Sequence, residues 1–310
     1  MNDALQGTVP ASPANPDSET APQEVTWPLR HLSLTGLHWP ATNSNSGPPV
    51  LMIHGWLDNA MSFARLAPVI AGGRDVYAVD LAGHGKSGHR PPGQGYALTD
   101  YIADLAELVE TYCMSAEMEG PDLVGHSLGG IVALFYAAAF SEKVRRLVMI
   151  DSLGPLTRQP SEVIPQLRKA IRKRLAGSGK PLVYKTVEQA ARAREGGTIP
   201  LSHKAAMVLT PRNLTEVAGG YGWSTDAQLR HPTMMMMDEA QVMGCLEQVR
   251  TPTRFIRAEK GLLASRPELN LRAEAIPGLD IESVPGGHHC HLDGDVRPVA
   301  SAVRDFIDVS

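Results

Sequence analysis

The residue best suited to nucleophilic chemistry is the serine of Gly125-His126-Ser127-Leu128-Gly129-Gly130. The apolar pair Leu123-Val124 leads into it as a strand, and Ile131–Phe140, apolar on every side, leaves it as a buried helix. A chain that passes from strand to helix in so few residues turns sharply and pushes the serine hydroxyl clear of the backbone. Glycines at 125 and 129 keep side chains out of space that the neighbouring strand and helix fill. The helix aims its free N–H groups and positive end at any negative charge forming beside Ser127. Such a serine is suited to attack a carbonyl.

A hydroxyl is a poor nucleophile unless a base takes its proton, and the base needs a third group to orient it. The histidines that follow a late strand are in Pro285-Gly286-Gly287-His288-His289-Cys290-His291. His288 is the expected base because the two glycines let the loop turn sharply off the strand before it; His289 is the competitor. Three histidines and a cysteine within four residues could also suggest zinc, but adjacent residues of one short loop seldom converge on one ion, so no metal is expected. An oxyanion needs two converging N–H donors. Leu128, next after the nucleophile, supplies one, and Trp56 in His54-Gly55-Trp56-Leu57-Asp58-Asn59 is expected to supply the other. Asp58 and Asn59 are expected to hydrogen-bond their own turn.

These residues need a frame. Early strands are expected at Arg30–Leu34, Gly36–Trp39 and Val50–His54, a helix at Ala60–Ala71, a strand at Asp75–Asp80, and a helix at Ala97–Glu117 with an apolar stripe of Ile102, Leu105, Leu108 and Val109. After the serine turn come strands at Arg146–Ile150, Thr253–Ala258 and Asp280–Val284 and a final helix at Val296–Ile307. Short apolar strands alternating with helices imply a parallel sheet covered on both faces. The alternation breaks between about Ser152 and Met237, where helices basic on one side (Gln166–Leu175, Val187–Glu195) appear without a recognisable strand. That segment is expected to cap the sheet. Asp80, His84 and Ser87 are expected to brace a loop, His126 to pack under the turn, and Met234–Met237 to pack on a helix.

Composition narrows the function. The 310 residues are 43% hydrophobic, enough for one large α/β domain, and the net charge of −4 gives no basic surface for nucleic acid. No apolar run approaches a membrane span, so neither a nucleic-acid nor a membrane partner is expected. Residues 1–24, rich in Pro, Ala, Ser and Asn, are expected to be a disordered leader with no secretory signal. The three cysteines, Cys113, Cys245 and Cys290, are far apart and odd in number, as for free thiols in a reducing cytoplasm. Oligomeric state leaves no mark on the sequence.

The motifs His54-Gly55-Trp56, Asp80-x-x-Gly83-His84-Gly85-x-Ser87, Gly125-His126-Ser127-Leu128-Gly129-Gly130 and Gly287-His288-x-x-His291-Leu292 stand in the order found in the α/β-hydrolase superfamily, which the chain resembles. His54-Gly55-Trp56-Leu57-Asp58-Asn59 looks most like the serine-hydrolase-like branch of its capped members. The resemblance implies a mostly parallel eight-stranded sheet flanked by helices. It also implies a core of residues 25–151 and 238–310, a helical cap (lid) at 152–237, Ser127 as nucleophile and His288 as base.

The acid departs from the pattern. Many relatives carry it at the fourth position of a Gly-x-x-Asp segment after the penultimate strand, and here Ala258-Glu259-Lys260-Gly261 puts glycine at that position. Asp151, ending the strand after the serine helix, is expected to replace it, with Glu259 as the alternative. The expected activity is cofactor-free hydrolysis of a small-molecule carboxylic ester through an acyl-enzyme. Thioesters, amides and activated C–C bonds are open to the same residues. The contrary expectation is a degenerate small-molecule binder of the same fold, which the glycine at 261 would favour.

Overall fold

Runs of aliphatic and β-branched residues make the strands of this protein, and glycine, proline and polar clusters end them. A computed structural model describes residues 21–42, 47–113, 120–197, 199–266 and 269–308. The first half runs β1 (Gln23–Pro28), β2 (Ser33–Trp39), β3 (Val50–Ile53), α1 (Ala67–Ile70), β4 (Val76–Asp80), α2 (Leu98–Leu108), β5 (Asp122–His126), α3 (Leu128–Ala139) and β6 (Arg146–Ile150). Next come α4 (Val163–Ala176), β7 (Val183–Tyr184), α5 (Val187–Glu195), α6 (His203–Leu209), β8 (Leu214–Val217) and β9 (Gly220–Trp223). The chain closes with α7 (Glu239–Leu246), β10 (Thr253–Lys260), α8 (Leu269–Ala275), β11 (Asp280–Gly287) and α9 (Arg297–Ile307).

Eight strands form one sheet in the order β1-β2-β4-β3-β5-β6-β10-β11. The β1–β2 and β2–β4 pairs are antiparallel, and every later pair is parallel. Successive side chains point to opposite faces of a strand, and β3 shows the result. Leu51 and Ile53 enter the core shared with α2, α3 and α7, while Val50 and Met52 enter the core under α1 and α9. With both faces covered, β3 to β6 are apolar almost throughout. The chain leaves β3 on one side for β4 and returns on the other for β5, so the carboxyl ends of β3 and β5 form the switch point at which such sheets bind ligands.

Several local expectations shift. The first strand lies at Gln23–Pro28, where Val25 and Trp27 are buried, and Arg30 falls in the turn after it. The expected leader therefore ends earlier: Gln23 and Glu24 pair with His38 and Leu37 of β2, and residues 1–20 lie outside the described residues. The Ala60–Ala71 helix is a 3-10 turn at Ala60–Phe63 followed by α1, where Pro68 offers no N–H to continue a ladder. The Ala97–Glu117 helix becomes α2 plus a π-turn at Val109–Cys113, and residues 114–117 lie outside the described set. Between β6 and α7 the expected helices appear as α4 and α5. A three-stranded antiparallel sheet, β7-β9-β8, accompanies them. Its strands are two to four residues long, too short to show a period. Met234–Met237 form no helix: Met235 is exposed and Met237 packs on the core.

The turn between β5 and α3 is as crowded as its glycines imply. A Cβ at Gly129 would overlap the Ile53 carbonyl oxygen, and one at Gly125 would overlap the backbone of Gly129 and Gly130. These obstacles are backbone and cannot swing aside. Gly129→Ala is expected to cost at least about 3 kcal/mol, read as a fall in Tm of roughly 6 °C or more. An unchanged Tm would show that the turn relaxes freely.

Candidate active site

Ser127 sits at the apex of the turn with φ 51° and ψ −117°, a conformation L-residues adopt only when their surroundings impose it. The surroundings are identifiable. Its N–H donates to the Ile150 carbonyl at 3.2 Å, and its carbonyl accepts from the Ser152 hydroxyl at 2.7 Å. The β6 end thus clamps the serine on both sides of its Cα. Leu128 is the first residue of α3, and Trp56 follows Gly55 at the end of β3. A Cβ at Gly55 would lie 3.1 Å from the Ser127 Cβ, so this loop lies directly against the serine. Among the described residues neither the Leu128 nor the Trp56 N–H donates to a backbone carbonyl.

The two candidate acids have different surroundings. Asp151, the residue after β6, is buried and also has positive φ, 43°. Its N–H is fixed to the Ile256 carbonyl at 2.9 Å. Its Oδ2 accepts from the Leu262 N–H at 2.8 Å and from His288 Nδ1 at 2.6 Å. A carboxylate cannot donate, so the ring proton is on Nδ1, which leaves Nε2 able to accept one. Gly261 explains the room for this arrangement: a Cβ there would overlap both Asp151 carboxylate oxygens. The acid from β6 occupies the space that a side chain at 261 would need. Glu259 is exposed on β10.

Behind His288 lies a buried polar layer that the sequence did not reveal. His126 Nε2 lies 2.9 Å from the His288 carbonyl and must donate to it. The histidine under the turn therefore holds the backbone of the candidate base. His289 is directed elsewhere, its Nε2 lying 3.0 Å from Asp58 Oδ2. The other Asp58 oxygen accepts from Arg194 of α5 at 2.9 Å. The Asp58 N–H does bond its own turn, donating to the Gly55 carbonyl at 3.1 Å, but its carboxylate serves distant partners, whereas Asn59 Oδ1 accepts the local Met61 N–H. Burial pushes the Asp58 carboxyl up, but His289 and Arg194 outweigh it and hold it well below the carboxylate range. Burial lowers His126 and His291, aided by neighbouring histidines, so both are neutral.

Asp58, His126 and His289 present ligand atoms within 4.8 Å of one another, the one such group among the described residues. Both Asp58 oxygens are already engaged by Arg194 and His289, and a cation there would face the guanidinium. The rings of His288, His289 and His291 all pack around His126, with centroids 4.5, 5.0 and 4.2 Å from its ring, but their hydrogen-bond partners differ. Cys290 packs in the core under α9, where burial pushes its thiol up to about 12, and His291 Nε2 lies 2.9 Å from the Ser62 hydroxyl.

The segment between β6 and α7 is fastened to the loops around the serine by directional bonds. Trp56 Nε1 donates to the Leu229 carbonyl at 3.0 Å, Asn59 Nδ2 to that of Leu209 at 2.9 Å, and Asn213 Nδ2 to that of Leu57 at 3.2 Å. Arg212 reaches Asp80 at 2.8 Å and Glu24 at 2.6 Å. Asp80 also accepts the Ala60 N–H at 2.7 Å and the Lys86 N–H at 3.0 Å, and the Ser87 hydroxyl donates to its carbonyl at 2.6 Å. Asp80 therefore braces its loop and also anchors the insertion. His84 is buried beside it, its pKa lowered by that burial to about 3.

Comparison with known proteins agrees with this fold. Residues 48–200 match the family model described as the alpha/beta hydrolase fold. The chain is 30% identical to a serine hydrolase-like protein of Danio rerio over 93% of its own length and 89% of the relative's. It is 30% identical to a probable serine hydrolase of Drosophila melanogaster, over 84% of this chain and 81% of that one. Among solved structures, a hypothetical protein of Pseudomonas aeruginosa is 37% identical with a TM-score of 0.82, covering 91% of this chain and 97% of that one. A thioesterase domain from the curacin biosynthetic pathway is 25% identical with a TM-score of 0.77, covering 93% and 100%.

The neutral histidines make stability pH-dependent. For His54, His84, His126 and His291, burial holds the folded pKa below the ordinary value of 6.5. Their contribution is complete above 6.5, because only the unfolded chain gains protons as pH drops below that value. Each then withdraws about 1.4 kcal/mol per pH unit until its folded pKa is reached. Thermal melts are expected to hold steady from pH 8 to 7 and to fall steeply between pH 6.5 and 5. A Tm flat down to pH 5 would mean these rings are protonated in the folded state.

Proposed function

Because the chain belongs to the α/β-hydrolase superfamily, within it to the serine hydrolase-like proteins, and is a hydrolase by that membership, we propose that it cleaves carboxylic esters through Ser127, His288 and Asp151. The observation that carries this reading is the 2.6 Å contact between Asp151 and His288 Nδ1, made above a glycine that leaves it room. His288 Nε2 takes the Ser127 proton as Oγ adds to the carbonyl carbon. Asp151 holds the ring tautomer and stabilises the imidazolium that forms. Charge on the former carbonyl oxygen rests on the Leu128 and Trp56 N–H groups, aided by the positive end of α3. His288 then gives its proton to the leaving alcohol, and water returns by the same route to release the acid.

Residues 152–237 act as the cap in this reading, fastened by their bonds to Trp56, Asn59 and Asp80 to the loops beside the serine. The likeness to a thioesterase domain puts thioesters beside esters as the acyl compounds to try first. A panel of p-nitrophenyl esters of rising acyl length reads activity and pocket size together. Asp151→Asn is expected to lower kcat/KM by about 10³–10⁴, since a misplaced tautomer leaves the base unable to accept the serine proton. Glu259→Gln, on an exposed side chain, is expected to stay within about twofold of the parent, the scale of surface substitutions. A large loss in Glu259→Gln with a small one in Asp151→Asn would overturn the assignment.

A further inference from the structure

The outer face of α4 is unlike an ordinary solvated helix. Its Ala170 is buried, Gln166 donates to the Thr233 carbonyl at 2.6 Å and Arg174 lies against Gly95, which fixes the side turned toward the protein. Ile171 and Leu175 stand about two and three turns beyond Ile164, in a stripe about 120° around the helix from that side. There Ile164 is 63% exposed, Ile171 41% and Leu175 82%. A helix laid on a domain normally turns such residues inward. Arg168 and Arg172 border this stripe along its outer edge, on the side directed away from the protein, with Lys169 and Lys173 farther round the helix. The whole helix carries five basic residues and no acidic one, in a chain of net charge −4. On α5, by contrast, Arg192 pairs with Glu188 and Arg194 with Asp58. Among the described residues no ion pair neutralises Arg168, Lys169, Arg172 or Lys173.

We propose that this face docks the protein on a lipid bilayer rich in anionic headgroups. An apolar stripe bordered by cations is the pattern of helices that lie in the membrane interface, with aliphatic side chains among the acyl chains and cations among the phosphates. Charge decides the occupant. A second copy meeting this face through a two-fold axis would set one basic helix against another, and a nucleic-acid backbone would give Ile164, Ile171 and Leu175 nothing to bury them. Docking of this kind needs no spanning segment. Among the described residues no helix is long and apolar enough to cross a membrane. The absence of a span, which suggested that no membrane is involved, says nothing about contact from one side. The proposal stands independently of the hydrolytic reading.

The test is sedimentation of the full chain with sucrose-loaded vesicles of phosphatidylcholine alone or mixed with phosphatidylglycerol. Binding is expected only with phosphatidylglycerol present, and is expected to weaken as salt is raised. Two variants separate the contributions: Ile171→Asp with Leu175→Asp removes the apolar stripe, and Arg168→Glu with Arg172→Glu inverts the cationic border. Each is expected to lower the partition coefficient at least tenfold. Because all four side chains are exposed, the melting curve should match the parent's. Equal sedimentation with both lipid compositions, no sedimentation with either, or unchanged binding by both variants would overturn the proposal. So would dimerisation in the ultracentrifuge that Leu175→Asp abolishes, or retention of a DNA duplex in place of vesicles.

Discussion

Two side chains cannot share one volume, and the space facing His288 Nδ1 holds a single carboxylate. Strands β6 and β10 are hydrogen-bonded neighbours whose carboxyl ends both open beside it, so an acid could enter from either. Here Asp151 takes the space and Gly261 vacates it, since any Cβ at 261 would overlap the Asp151 oxygens. The relocation has a backbone cost, visible in the positive φ of Asp151, which its N–H bond to Ile256 and the Leu262 N–H bond to its carboxylate help to hold. Ser127 carries the same kind of strain one strand away. Both strained residues are fixed by N–H bonds to the neighbouring strands, Ser127 to Ile150 of β6 and Asp151 to Ile256 of β10.

A second layer keeps the first in place. His126 bonds the His288 backbone, His289 bonds Asp58, and Asp58 bonds Arg194. The loop bearing the candidate base is thus tied, through one buried carboxylate, to the insertion above it. Buried charges are tolerated only when paired, so loss of Arg194 would remove the guanidinium that compensates Asp58 beside the site. The two adjacent histidines gain distinct roles from their carboxylates: Asp151 orients His288, and Asp58 holds His289.

Much of this was legible in the sequence because it is local. The strand–turn–helix around Ser127 follows from an apolar pair, two flanking glycines and an apolar helix, and the parallel sheet from the alternation of short strands with helices. Asp151 was legible as a substitute only because glycine stands at 261, a difference the superfamily pattern exposes. What stayed hidden depends on distant pairing. Arg194 is a basic residue among several on α5, and nothing nearby marks it as the partner of Asp58. Arg212, which joins Asp80 to Glu24, is equally anonymous, and so nothing in the sequence separates Gln23 and Glu24 from the polar leader before them. The small sheet β7-β9-β8 was missed because its strands are too short to show alternation.

The proposed chemistry depends on Asp151 acting through His288 to activate Ser127, and fluorophosphonate labelling measures that activation without a known substrate. The second-order labelling rate, followed by intact mass, is predicted to be high for the parent, to vanish in Ser127→Ala and to drop by about a thousandfold in Asp151→Asn, in line with loss of the acid that orients the base. Labelling of Asp151→Asn at the parent's rate, or modification that survives Ser127→Ala, would contradict it.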